Sequence, residues 1–320
     1  MTEKMETSPA APRSLFGRKQ DAFSRARRTE TRIAYLFLIP TLIGYTLFII
    51  YPLITSSIYA FTDWNGLVKP HFVGFRNFVF MFTKDPTFYP SLKASLYYVV
   101  LTVPFTLIFG FLLAVLLNKT MPLVKMFRTL YYLPTILPGV ASMYLFKYIF
   151  APNQTGLANQ LLGILGIPNQ LWLSSPTQVM PSLLIYALWG VGGGMIIFLS
   201  GLQSVPAELY EAATMDGASG LRKMWAITIP MVSPVLFLQL ITGMIGAFQV
   251  ITPAMVMTGN GGPKNVTYFL NFAIYTSAFT NRQYGYAFAL VWIMFFFVMF
   301  FTAITFKVSN QFVYYENENG

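Results

Sequence analysis

The chain has 320 residues, of which 55% are hydrophobic and 10% charged, with a mean hydropathy of +0.57 and a formal net charge of +10. A soluble domain carries about 25% charged residues, so this composition places the chain in a bilayer. It contains no cysteine and a single histidine, His71, which excludes thiol chemistry, Cys-bound metals and His-based catalysis and leaves no metal site to propose.

Residues 1–32 are polar and carry eight of the 21 Lys and Arg residues, including Arg25, Arg27, Arg28 and Arg32. They read as a basic cytosolic tail facing anionic lipid rather than as a nucleic-acid-binding arm. They do not read as a signal peptide, because the basic stretch is long and no small-residue cleavage site precedes the first apolar run.

Six apolar runs follow, at about 33–61, 94–118, 127–150, 179–202, 230–257 and 285–308. Each exceeds the roughly 20 residues that a helix needs to cross a bilayer, and the runs are continuous rather than alternating, which favours helix over barrel strand. The expected fold is all-α: an integral membrane bundle of about six helices over 33–308, with a cytosolic tail at 309–320. Between the spans, 62–93 and 151–178 are long enough for short interfacial helices. With the N-terminus inside, fourteen Lys and Arg residues fall on the inner side and seven on the outer. Without the tail the balance is six against seven, so the tail sets the expected orientation, with both termini inside.

Residues 203–229 form a short polar loop between the fourth and fifth spans. Ser204 and Pro206 suit a helix start, Glu208 and Glu211 suit its first turns, and Gly217 and Gly220 suit its end. A second short helix is expected over Leu221–Ile229, with Arg222, Lys223 and Trp225 at the membrane surface. The spacing Glu211-Ala212-Ala213, three residues, Gly217, nine residues, then Ile227-x-Ile229-Pro230 resembles the EAA motif of binding-protein-dependent ABC importer permeases, with Ile229 where Leu is common. That resemblance implies a coupling helix seated in a groove of a separate ATPase, with Glu211, Ala212, Ala213, Asp216 and Gly217 at the contact.

The order of other stretches is similar to the carbohydrate branch of that superfamily, the maltose and multiple-sugar permeases. They are Tyr51-Pro52-Leu53 with Phe61-Thr62-Asp63-Trp64-Asn65-Gly66, Phe72-Val73-Gly74 with Asn77, Leu133-Pro134 to Pro138-Gly139, and Asn260-Gly261-Gly262-Pro263. The resemblance spans roughly 35–308 and implies a sugar or oligosaccharide importer. Its implied partners are a second permease in a heterodimer, two ATPase subunits that bind ATP-Mg, and an extracytoplasmic sugar-binding protein, in a bacterial inner membrane.

This chain has no P-loop of its own, so no cofactor is expected on it. Gly190-Val191-Gly192-Gly193-Gly194 lies inside an apolar span with no preceding strand, which suits close helix packing or a constriction better than phosphate binding. At about 100° per residue, Gln239, Thr242, Gly246 and Gln249 share an arc of about 80°. A polar stripe on a membrane helix faces the bundle interior or a watery path. With Tyr186 and Trp189 available in the fourth span, these residues are the candidate substrate pathway; interhelical hydrogen bonding is the competing role for Gln239 and Gln249. Asp63, Lys84 and Asp85 read as solvated surface, or alternatively as a docking patch for the binding protein. A glycerol-phosphate permease is the nearest rival, but the spans hold no cationic cluster. An ion-coupled transporter would require carboxylates inside the spans, and these are absent away from their ends.

Overall fold

The computed structural model describes Thr31, residues 33–119 and residues 121–309. The basic tail expected at 1–32 and the tail at 309–320 therefore lie outside the described residues, apart from Thr31 and Ser309. The chain divides into two compact units between Ile58 and Tyr59. The first holds most of one apolar helix, α1 (Ile33–Tyr59), no residue of which is buried within the chain.

The second unit is built on α3 (Phe88–Leu117), a 30-residue helix that packs against six others among the described residues. Before it comes α2 (Arg76–Thr83), one of the short helices anticipated for the connecting segments. After it come α4 (Val124–Ile136), α5 (Gly139–Ile149), the second short connecting helix α6 (Leu157–Ile164), α7 (Val179–Trp189), α8 (Gly192–Gln203) and α9 (Ala207–Met215). They are followed by α10 (Ile229–Phe248), α11 (Thr252–Val256), α12 (Leu270–Tyr275) and α13 (Tyr284–Ser309). Among the described residues there is one isolated β-bridge, Thr62 with Phe72, and no strand.

The centrality of α3 follows from small side chains on its inward faces. Ser91, Ala94, Ser95, Thr102, Gly110 and Ala114 are all buried, which lets neighbouring backbones approach closely. Ser95 also accepts the Leu270 amide at 2.8 Å, satisfying one of the orphan donors at the start of α12. On one side Tyr98, Phe146, Leu183, Phe248 and Phe269 form a core, and on another Phe111, Met195, Phe198, Leu202 and Val232 form a second.

Among the described residues, four helical runs are long and apolar enough to cross a membrane: α1, α3, the run Gly220–Val256 that contains α10, and α13. The pair α7–α8, bent by 50° at Gly190–Val191, makes a fifth. The run expected to span at 127–150 is two helices instead. Leu137 is extended (φ −68°, ψ 143°) ahead of Pro138, whose ring disfavours α geometry in the residue before it and which has no N–H to continue the ladder.

The connection at 62–75 is ordered by polar groups. The Asn77 amide donates to the carbonyls of Ala60 (2.9 Å) and Thr62 (2.8 Å). The His71 backbone amide donates to Asp63 at 2.8 Å, and this bond holds the Asp63 carboxyl below its ordinary range. Asp85 accepts from Thr87 (2.7 Å) and from the Tyr286 hydroxyl. Asp63 and Asp85 thus structure the loops rather than merely decorating them.

Candidate functional site

Two regions collect the residues singled out from sequence: a hairpin at 207–228 and a pair of cavities along α7, α8 and α10.

In the hairpin, α9 ends in a Schellman motif. Ala218 donates to the Ala213 carbonyl (2.9 Å) and Gly217 to the Thr214 carbonyl (3.0 Å), with Gly217 at φ +73° and Asp216 at the C-cap. A β-carbon at Gly217 would meet nothing within 4 Å, so backbone conformation rather than space calls for glycine here. Helical spacing puts Glu208, Glu211, Ala212 and Met215 on one face, and all four are exposed. Tyr210 and Ala213, on the other face, are partly covered. Glu211 forms no ion pair among the described residues, leaving a bare carboxylate beside a small residue. Arranged this way, the hairpin offers a groove-fitting ridge with an acid on it.

Three local expectations are corrected. Ser204 does not cap α9: its hydroxyl donates back to the Gly201 carbonyl (2.8 Å) as α8 closes, and Pro206 takes the N-cap position. Gly220 does not end a helix; it begins one, behind Ser219, which accepts the Arg222 amide at 3.4 Å. Nor is the second arm a separate helix ending at Ile229. The turn Gly220–Lys223 runs through a π-helical segment, Met224–Thr228, directly into α10.

The first cavity, about 330 Å³, is lined by Gln239 and Thr242 from α10, Val103 and Thr106 from α3, and Gly190 and Gly194 near the bend, among others. The second, about 400 Å³, is lined by Tyr186, Trp189 and Ser142 with Pro134, Thr135 and Leu137 from the broken α4–α5 pair. Ala187 and Gly190 line both, so the cavities adjoin at the α7–α8 bend. Tyr186 is fixed by a 3.1 Å bond with Ser142 and by an edge-on contact with Phe146. No residue in either lining carries a charge.

The structure therefore brings Gln239 and Thr242 to one cavity and Tyr186 and Trp189 to its neighbour. Gly246 and Gln249 line neither. α10 stops at Phe248; Gln249 is exposed, and its carbonyl accepts from the Asn271 amide at 2.6 Å. Thr106, Thr135 and Ser142 were missed from sequence. Small hydroxyl residues in apolar runs were the available signal, but they commonly bond their own helix, as Thr106 does to the Thr102 carbonyl (2.9 Å).

A family model described as the binding-protein-dependent transport system inner membrane component matches residues 95–312. The chain belongs to this family. The probable ABC transporter permease YesP of Bacillus subtilis (strain 168) is 36% identical over 309 residues, covering 95% of this chain and 99% of YesP. The arabinooligosaccharides transport permease AraP of the same organism is 31% identical, covering 92% of this chain and 94% of AraP. MsmF, a multiple sugar-binding transport permease of Streptococcus mutans, is 29% identical, covering 87% and 95%. The crystal structure of a bacterial alginate ABC transporter, in complex with an alginate pentasaccharide-bound periplasmic protein, contains a chain that superposes with a TM-score of 0.77 at 23% identity. The match covers 88% of this chain and 96% of that one, which establishes the shared fold. The protein is an ABC permease subunit, the membrane-spanning part of a binding-protein-dependent system, and not itself an enzyme.

Proposed function

We propose that this permease subunit translocates a neutral sugar or oligosaccharide. The observation that carries the reading is the pair of adjoining, uncharged cavities with Gln239, Thr242, Tyr186 and Trp189 in their walls. Hydroxyl-rich solutes need amide and hydroxyl partners beside aromatic surface, and such a lining supplies both. A phosphate-bearing solute would leave its charge unmatched there, which counts against the glycerol-phosphate alternative. The names of the relatives AraP and MsmF, which specify arabinooligosaccharide and multiple-sugar transport, support the same substrate class.

In this reading the subunit pairs with a second permease, each docking one of two ATPase subunits that hold ATP-Mg, and an external binding protein delivers the sugar. The hairpin face of Glu211, Ala212 and Ala213, closed by Asp216 and Gly217, seats on the ATPase from the cytosol, with both termini on that side. Closure of the ATPases moves the hairpin, and the bundle switches as rigid bodies between two facing states. The test is uptake of labelled neutral saccharides by cells with and without this gene. Loss of ATP-dependent uptake of at least one saccharide is expected. Undiminished uptake of all of them, with loss of glycerol-phosphate uptake instead, would overturn the substrate class.

A further inference from the structure

We propose that Gly194 is a positioning residue that seats the Gln239 amide in the first cavity, and that the seated amide selects solutes bearing hydroxyls on two adjacent carbons. This rests on the translocation reading and adds the feature of the solute that is recognised.

The three consecutive glycines of α8 have different neighbours. A β-carbon on Gly192 would run into the Tyr131 carbonyl and the Tyr132 backbone, and one on Gly193 would come within 3.2 Å of the Thr135 methyl group. These two glycines serve the crossing of α4 and α8. A β-carbon on Gly194 would meet only the Gln239 Nε2, at 2.9 Å. Helix packing therefore makes no demand on position 194; the single neighbour is the tip of a flexible side chain. That tip, in turn, makes no hydrogen bond to another described residue, while the Gln239 backbone carbonyl already accepts from Thr242 in its own helix. Gln239 is half-buried and lines the cavity together with Gly194.

A primary amide offers an acceptor and a donor side by side, and a sugar hydroxyl both donates and accepts. Two hydroxyls on neighbouring carbons can meet the amide at once, one donating to Oε1 and the other accepting from Nε2. A single hydroxyl uses half of it. Any side chain at 194 pushes the amide off this register without disturbing the backbone.

The test is uptake kinetics with the complete transporter in proteoliposomes. The probe is whichever of maltose, cellobiose, xylobiose or melibiose the wild type takes up best, with its analogue lacking one of two adjacent hydroxyls. Losing one net hydrogen bond to a neutral group costs about tenfold in affinity. Gln239→Ala removes both bonds and is expected to raise KM about a hundredfold with Vmax within about twofold. Gly194→Ala, which breaks the two-point contact, is expected to raise KM about tenfold or more, and the double variant to show no further rise beyond Gln239→Ala. Wild type should prefer the parent sugar over its deoxy analogue by about tenfold, a preference both single variants lose. A wild-type KM in Gly194→Ala, or additive effects in the double variant, overturns the role of Gly194. If Gln239→Ala alone raises KM, the translocation reading survives that failure. If Gln239→Ala also keeps the wild-type KM, the role of the amide falls while the translocation reading stands; a wild type that takes up none of the four sugars overturns the translocation reading itself. Should Gly194→Ala reach the membrane poorly, the double variant, in which the opposing amide is gone, supplies the comparison.

Discussion

The hydroxyls of Tyr210 and Thr228 meet at 3.0 Å, tying helix α9 to the π-helical segment that feeds α10. A second brace lies nearer the tip, where the Lys223 ammonium donates to the Thr214 hydroxyl at 2.7 Å. Tyr210→Phe removes the first brace and keeps the ring, and should cost about 1 kcal/mol of local stability. The expected outcome is faster amide exchange over 207–228, with less transport per ATP hydrolysed. Unchanged exchange in that segment would show that the brace is idle.

Glu211 stands exposed on the outer face of α9 and forms no ion pair within the described chain. Glu211→Lys should leave membrane yield unaltered, because surface substitutions of this kind change stability by about 0.5 kcal/mol or less. Uptake should fall tenfold or more through loss of charge register with the ATPase. Wild-type uptake together with normal ATPase co-purification would remove Glu211 from the coupling surface.

Ser219 sits at the exposed turn between the two arms. The chain is naturally free of cysteine, so Ser219→Cys introduces a unique label. It should resist membrane-impermeant thiol reagents in intact cells and react in inverted vesicles. Labelling from outside would reverse the proposed orientation.

Gly192 lies where α8 crosses the backbone of α4 at Tyr131 and Tyr132. Gly192→Ala forces that crossing apart, and overpacking of this kind costs about 1–3 kcal/mol. A lower thermal midpoint and a lower membrane yield are expected, in contrast to Gly194→Ala two residues on. Equal midpoints for the two variants would mean that the glycine run acts as one packing surface.

The hairpin was legible in the sequence because its rules are local: acidic residues near a helix start, small residues on one face, and a glycine where φ must be positive. Ser204 was misassigned for a related reason, since a serine hydroxyl closes one helix or opens the next equally well. The break at Pro138 was hidden because membrane helices tolerate proline, and the flanking residues are apolar on both sides. The polar stripe divides where α10 ends. Helical phase carried Gln239 and Thr242 to the cavity but cannot be extended to Gln249, which lies beyond the last turn of α10. The pairing of Gly194 with Gln239 joins helices 45 positions apart in the sequence, and no periodicity within one helix contains it.

The parting of α4 from α5 has a consequence for what can lie beside it. A helix leaves its last four carbonyls without intrahelical donors, and here the chain continues through an extended Leu137 into a residue with no N–H. Pro134, Thr135 and Leu137 from this end line the second cavity. Hydrocarbon cannot satisfy such carbonyls, so the break calls for a cavity, and not lipid, beside the end of α4. Under the proposed translocation reading, a hydroxyl-bearing solute in that cavity would find backbone acceptors in the wall as well as side chains. Hydrogen bonds to a neutral carbonyl are individually modest, and a wall of such acceptors would hold the solute without trapping it.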